Sequence, residues 1–208
     1  ELKFPNRTSF SAISLDSLEN VNDKDLLKLC SNFYSDIQLF GQQACSSPMA
    51  VYFIGSSEKH CQSDRFWKFF KIAAKNHSLT SSEVMDRLVA ASSMAISGAI
   101  DKAKMSFGST DVVLLNGDLL SESSFRVGHP GGGLLIQYFL PSITDLSEYI
   151  CSEDQTLSTF GFNLDEIHNF VRGLGNRGID RIVLIGQALG FNHIWDGNDL
   201  LDSMCRKI

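Results

Sequence analysis

Apolar residues follow two alternating spacings along the chain. Over Asp23–Phe40, the residues Leu26, Leu27, Leu29, Cys30, Phe33, Ile37 and Phe40 recur at helical intervals, and Phe66, Trp67, Phe69 and Phe70 do the same over Asp64–Lys75. Compact apolar runs stand between such segments. Ala50–Ile54, closed by Gly55, then Val112–Leu115, Leu134–Leu140 and Arg181–Ile185 each read as a strand, the last as a buried one. Ser9–Ser14 reads as a further short strand. Ser81 or Ser82 before Glu83 forms a capping pattern that opens an alanine- and methionine-rich helix over Ser81–Lys104. Asp145–Ile150 and Asn163–Leu174 read as helices, the second capped by Asn163 and stopped by Gly175.

Strands alternating with helices predict an α/β fold, a mainly parallel sheet with helices on both faces and right-handed crossovers. No repeat, linker or low-complexity stretch divides the chain, so one domain is expected. Asn116–Gly133 fits neither spacing. Its Gly128-His129-Pro130-Gly131-Gly132-Gly133 run supplies conformational freedom and reads as a loop at an active site.

Composition narrows the functional classes. At 208 residues and 43% hydrophobic the chain can bury a sizeable core. The net charge of −6, without a basic block, argues against nucleic-acid binding. No run of about 18 apolar residues occurs and the amino terminus lacks a signal-peptide pattern, so the expectation is a soluble, cytoplasmic protein with no membrane span. Five cysteines, an odd number without any C-x-x-C pair, speak against zinc, a disulfide framework or any other metal site. Cys30, Cys61, Cys151 and Cys205 read as small buried hydrophobes.

Cys45 differs from these. It lies in Gly41-Gln42-Gln43-Ala44-Cys45-Ser46-Ser47-Pro48, a run of small and polar residues between a helix and an apolar strand. Such neighbours admit a substrate carbonyl and leave backbone N–H groups to stabilise negative charge, which makes Cys45 the candidate nucleophile. His129 is a candidate acid or base near it, against a solvated loop histidine. Gly131-Gly132-Gly133 lacks a phosphate-loop pattern and precedes a strand. His60, His77, His168 and His193 have no ligand spacing and read as surface or packing residues. Trp195-Asp196-Gly197 reads as a tight turn anchored by a buried ring.

The order strand, helix, Gly41-Gln42-x-x-Cys45 loop, strand, helix resembles the thiol-bearing catalytic lobe of the aldehyde dehydrogenase superfamily. Together with Gln155-Thr156-Leu157-Ser158-Thr159-Phe160-Gly161 and the stretch from Gly178-Ile179-Asp180-Arg181 through Gly186-Gln187-Ala188-Leu189 to Ile194-Trp195-Asp196-Gly197, it is similar, from about Ser9 to the carboxyl end, to the long-chain acyl-CoA reductase family that supplies fatty aldehyde for bacterial bioluminescence. The resemblance implies that Cys45 takes an acyl group from acyl-CoA as a thioester and that NADPH delivers hydride to release the aldehyde. It also implies an acyl-protein synthetase partner and makes a homo-oligomer plausible. Glu122, with Phe125 before the strand at Leu134, loosely resembles the superfamily's glutamate that contacts the nicotinamide ribose. Glu1, 44 residues before Cys45, is too distant for the general-base glutamate.

The superfamily's glycine-rich cofactor segment and its oxyanion-hole asparagine belong well ahead of the thiol loop. The chain, which opens on Glu1, therefore reads as the carboxyl-terminal piece of a longer enzyme. Two alternatives stay open: an interaction module of the same fold without chemistry, and a thioesterase or acyl-transfer lobe in which the acyl-cysteine hydrolyses or passes to another acceptor.

Overall fold

The computed structural model describes residues 7–74, 80–97, 113–117, 126 and 129–204. Among them six strands form one sheet: β1 (Thr8–Ser14), β2 (Ala50–Ile54), β3 (Val113–Asn116), β4 (Leu134–Leu140), β5 (Asp154–Phe160) and β6 (Arg181–Leu184). Their order is β3-β4-β2-β1-β5-β6 and every pairing is parallel. The helices are α1 (Leu15–Asn20), α2 (Asp23–Gln38), α3 (Cys61–Ala73), α4 (Ser81–Ser97), α5 (Leu164–Leu174) and α6 (Leu200–Met204). No helix among the described residues is long and apolar enough to cross a membrane.

Successive strand residues point to opposite faces, so the sheet carries two cores. On one face Ile13, Val51, Phe53 and Leu135 pack with Leu26, Cys30, Phe33 and Ile37 of α2 and with Phe66, Trp67 and Phe70 of α3. Phe33 sits 5.7 Å from Phe66 and 5.4 Å from Phe70, ring centre to ring centre, so the helical spacing of aromatics in α3 becomes the seam between the two helices. On the other face Phe10, Ala12, Tyr52, Ile136, Tyr138 and Leu157 meet Ala91 and Met94 of α4, and Phe170 and Leu174 of α5. Helices therefore cover both faces, as expected for a parallel sheet.

The connections follow one hand. From β1 to β2 the chain steps one way across the sheet with α2 on the first face; from β5 to β6 it steps the opposite way with α5 on the second face. That reversal of face with direction is what right-handed crossovers require.

Several elements differ from the sequence expectation. α1 follows β1 directly, capped by the Ser14 side chain, in a stretch with too few apolar residues to show a period. Asp145–Tyr149 is a 3₁₀ turn, not an α-helix. β5 is a strand despite its polar sequence: Gln155, Thr156 and Ser158 are buried, and the Ser158 hydroxyl is satisfied inside the sheet by Ser11 at 2.5 Å. β6 is a half-exposed edge strand instead of a buried one, because it pairs only with β5 and leaves Leu184 62% exposed. The expected helix over Ser81–Lys104 is described as far as Ser97; its remainder lies outside the described residues.

Candidate functional site

The thiol loop leaves α2 at Gln38 and returns at the amino-terminal end of β2. It coils through tight turns, with Gly41 N–H donating to the Gln38 carbonyl at 3.0 Å, Gln43 N–H to Phe40 at 3.0 Å and Ser47 N–H to Ala44 at 2.9 Å. Cys45 stands half-buried among these turns, as a free thiol. Ser9 at the start of β1 fixes the loop from below: its Oγ donates to the Cys45 carbonyl at 2.7 Å and accepts the Thr156 N–H at 3.2 Å, while its own carbonyl accepts Met49 N–H at 2.9 Å. One hydroxyl thus ties the thiol loop to β1 and β5 together.

A second wall comes from the glycine loop that leads into β4. Gln42 is buried and held at φ 60°, a left-handed conformation that costs a non-glycine residue about 1 kcal/mol. Its Nε2 donates to the Pro48 carbonyl at 2.7 Å and the Leu134 carbonyl at 2.8 Å, and its Oε1 accepts Gly133 N–H at 2.9 Å. Gln43 Nε2 donates to the Pro130 carbonyl at 2.8 Å, and Gly132 N–H donates to the Gly41 carbonyl at 2.9 Å. Gly131, at φ 73°, passes so close that a Cβ there would meet the Gln43 side chain and, at 2.9 Å, the Gly41 carbonyl oxygen. Gly131 is needed for this close approach.

His129 sits at the start of that second wall. Its Nδ1 accepts Gly131 N–H at 3.1 Å, so the neutral ring carries its proton on Nε2, which is buried without a hydrogen-bond partner. Burial pushes the imidazole down to about 4. His129 is thus half-buried and neutral near pH 7, in contrast to the solvated loop histidine of the alternative reading.

On the other side of the thiol, Ser9 pairs with Thr156 and Thr156 with Arg181 across the same end of the sheet. Thr156 and Arg181 line a cavity of roughly 210 Å³ with Gln155, Asn192, Trp195 and Asp196. The Arg181 guanidinium donates to the Gly190 and Ala188 carbonyls and lies 4.7 Å over the Trp195 ring. Burial pulls it below its ordinary value, opposed in part by the Asp36 carboxylate, and arginine remains a cation throughout. Arg181 is therefore a fixed positive charge at this end of the sheet. Trp195, expected as a buried ring, is half-buried in the β7–β8 hairpin (Ile194–Trp195 and Asn198–Asp199), covered by Arg181 and Phe191.

Two buried carboxylates brace the surroundings. Asp36 of α2 accepts Gly186 N–H at 2.6 Å and Ala188 N–H at 3.1 Å; burial pushes it up to about 6, and these bonds and Arg181 oppose the rise. Asp154 accepts from Thr8 Oγ1 at 2.6 Å and from the Arg126 guanidinium at 2.9 and 2.8 Å.

Of the residues singled out from sequence, the structure brings His129 and the triple glycine against the Cys45 loop. Glu122 and Phe125 lie outside the described residues, as do Glu1, His77 and Cys205. His60 packs on Phe139 at 4.1 Å, and His168 and His193 are exposed. Cys30 is buried, its thiol pushed up to about 12 by burial, but Cys61 is exposed at the start of α3 and Cys151 half-buried, because neither falls on a core-facing position. Among the described residues no group of three or more His, Cys, Asp or Glu could hold a metal ion. Ser9, Asp36, Arg126 and Arg181 were not singled out for chemistry. Ser9 meets Cys45 across 36 residues, Arg126 meets Asp154 across 28 and Asp36 meets Ala188 across 152, so no local pattern marks them.

The sequence matches no protein-family profile and no curated protein. Solved structures with this arrangement include aldehyde dehydrogenases. Lactaldehyde dehydrogenase from Escherichia coli is 12% identical with a TM-score of 0.60, over 91% of this chain and 41% of that one. A 3,6-anhydro-L-galactose dehydrogenase in complex with NAP is 13% identical with a TM-score of 0.59, over 90% and 41%. An indole-3-acetaldehyde dehydrogenase in complex with NAD+ is 13% identical with a TM-score of 0.58, over 90% and 39%. The chain spans about 40% of the length of these dehydrogenases. What it shares with them is the fold.

Proposed function

We propose that this chain is the thiol-bearing lobe of an aldehyde-dehydrogenase-type oxidoreductase, and within that class of a long-chain acyl-CoA reductase that forms fatty aldehyde. The observation that carries the proposal is a half-buried free thiol on a loop whose backbone is fixed from two sides, by Ser9 and by the glycine loop, in a fold shared with aldehyde dehydrogenases. In the acylation step the Cys45 sulfur, having given up its proton, adds to the acyl carbon of the CoA thioester. The tetrahedral oxyanion collapses and expels CoA as a thiolate, which takes up a proton, leaving the acyl group as a thioester on Cys45. The Cys45 N–H, on the same residue, is a ready donor to the oxyanion.

Hydride to release the aldehyde is the chemistry of a nicotinamide cofactor, NADPH in this reading. The described residues do not fit that cofactor: the β1–α1 turn is Ser14-Leu15-Asp16-Ser17, without a glycine, and the glycine loop leads into a strand instead of a helix. Acylation is the half-reaction these residues carry. An acyl-protein synthetase and a second copy of the chain are the partners proposed with it.

Incubation with palmitoyl-CoA followed by intact-mass spectrometry tests the reading, beside a Cys45→Ala control. One acyl adduct on the wild type and none on the control is the expected result. A wild type that gains no adduct, with Cys45 equally inert to iodoacetamide, would overturn it.

A further inference from the structure

We propose that Gln42 is a positioning residue for the Cys45 thiol, and that through it the thiol loop and the glycine loop of 130–134 act as one rigid unit. The proposal rests on the reading of Cys45 as the acyl acceptor. Three consecutive residues of the thiol loop, Gly41, Gln42 and Gln43, are bonded to four backbone groups of the other loop. The partners are the Pro130 carbonyl, the Gly132 and Gly133 N–H groups and the Leu134 carbonyl. Every partner on the glycine-loop side is backbone. The clamp therefore senses where that loop's main chain lies and is blind to its side chains.

Gln42 is the centre of the clamp for two reasons. It is the one member whose side chain reaches both loops, since the same Nε2 that donates to Leu134 also donates to Pro48, three residues past Cys45. It also adopts a left-handed backbone at φ 60° while buried, a conformation that persists only where surrounding bonds over-determine it. Cys45 lies between Gln42 and Pro48, so the two ends of the short arc carrying the thiol are pinned to one amide group. With that amide removed, the arc keeps its Ser9 bond at the Cys45 carbonyl but loses the contact that sets its tilt against the glycine loop.

The function of such a clamp is to hold the sulfur for attack on a bound thioester, where small misplacements are costly. It does nothing to assist reaction with a small, unoriented reagent. This split separates positioning from a merely structural role. Glu at position 42 keeps the acceptor for Gly133 N–H and the side-chain shape, but sets an oxygen against the two carbonyls that Nε2 now serves. Gln42→Glu and Gln42→Met are expected to lower the single-turnover rate of Cys45 acylation by saturating palmitoyl-CoA at least tenfold, with the half-saturating concentration changed less than threefold. Alkylation of Cys45 by iodoacetamide, read against the exposed Cys61 in the same molecule, should hold or rise.

Two milder variants keep the test open should those substitutions prevent folding. Gln43→Ala removes one bond of the clamp and should cost acylation about twofold to fivefold. Gly131→Ala forces the clamp apart from the opposite loop and should show the same split as Gln42→Glu. Acylation at the wild-type rate in every folded variant, or acylation and alkylation falling together, overturns the positioning role. A wild type that forms no palmitoyl adduct overturns the acyl-acceptor reading instead, and the two failures are thereby told apart.

Discussion

Replacing His129 with glutamine should flatten part of the acid limb of this protein's stability curve. In the folded chain the imidazole is held down to about 4 by burial, whereas in the unfolded chain it titrates near its ordinary value of about 6.5. The folded state binds this proton more weakly than the unfolded one. The group's contribution is therefore complete above about pH 6.5 and drains away as the pH falls toward 4. At about 1.36 kcal/mol per pH unit, the loss between pH 7.5 and pH 4 comes to about 3 kcal/mol. Asp36 runs the other way: its folded value is raised to about 6, so it loses stabilisation as the pH rises from about 4 through 6, and offsets about 2 kcal/mol of the histidine's loss on acidification. The two nearly cancel in the wild type. The informative quantity is thus a difference between proteins at each pH, measured by urea unfolding of wild type and His129→Gln at pH 7.5 and pH 4, in which the Asp36 contribution is common to both. The variant should lose about 3 kcal/mol less than the wild type over that interval. Equal losses in the two proteins would mean that the ring takes up its proton in place, and the argument from its burial would be wrong.

The Asp36→Asn variant should show the opposite sign, becoming more acid-labile than wild type by about 2 kcal/mol in the same urea series. Arg126→Met strands the buried Asp154 carboxylate, whose partner is 8% exposed and itself 0%; with Thr8 and the Cys151 N–H still donating to it, a loss of about 3 kcal/mol is expected by urea unfolding at pH 7. Ser9→Ala leaves the Cys45 carbonyl and the Thr156 N–H without their shared partner and should cost about 1–2 kcal/mol while slowing acylation in the intact-mass assay. In the native state Cys61 should alkylate readily, and Cys30, its thiol pushed up to about 12, only after denaturant is added.

The sheet was legible where its strands are apolar and opaque where they are not. β2 is a short solid run of apolar residues and β4 one interrupted only by Gln137, and their limits agree with the sequence reading. β5 carries Thr, Ser and Gln at the same depth, and a polar strand becomes readable only once the hydroxyl pair Ser11–Ser158 and the bond from Thr156 N–H to the Ser9 hydroxyl are known. α1 has two buried apolar residues, Leu15 and Leu18, one turn apart, too few to define a period. The thiol was visible from its small neighbours. The groups that hold it were not, because Gln42 meets Leu134 across 92 residues and Ser9 meets Cys45 across 36. His129 was visible as a residue type, while the burial that makes it neutral is a property of the assembled loops.

The place of β1 in the middle of the sheet sets a schedule for the ribosome. One edge of β1 pairs with β2, made soon after it, but the other waits for β5, whose first residue lies 146 positions beyond Thr8. At about 5–20 residues per second, that edge, with Phe10 and Ala12 beside it, stays open for on the order of ten seconds during synthesis. A nascent chain of this fold thus exposes a template for strand addition before its own strand exists to close it.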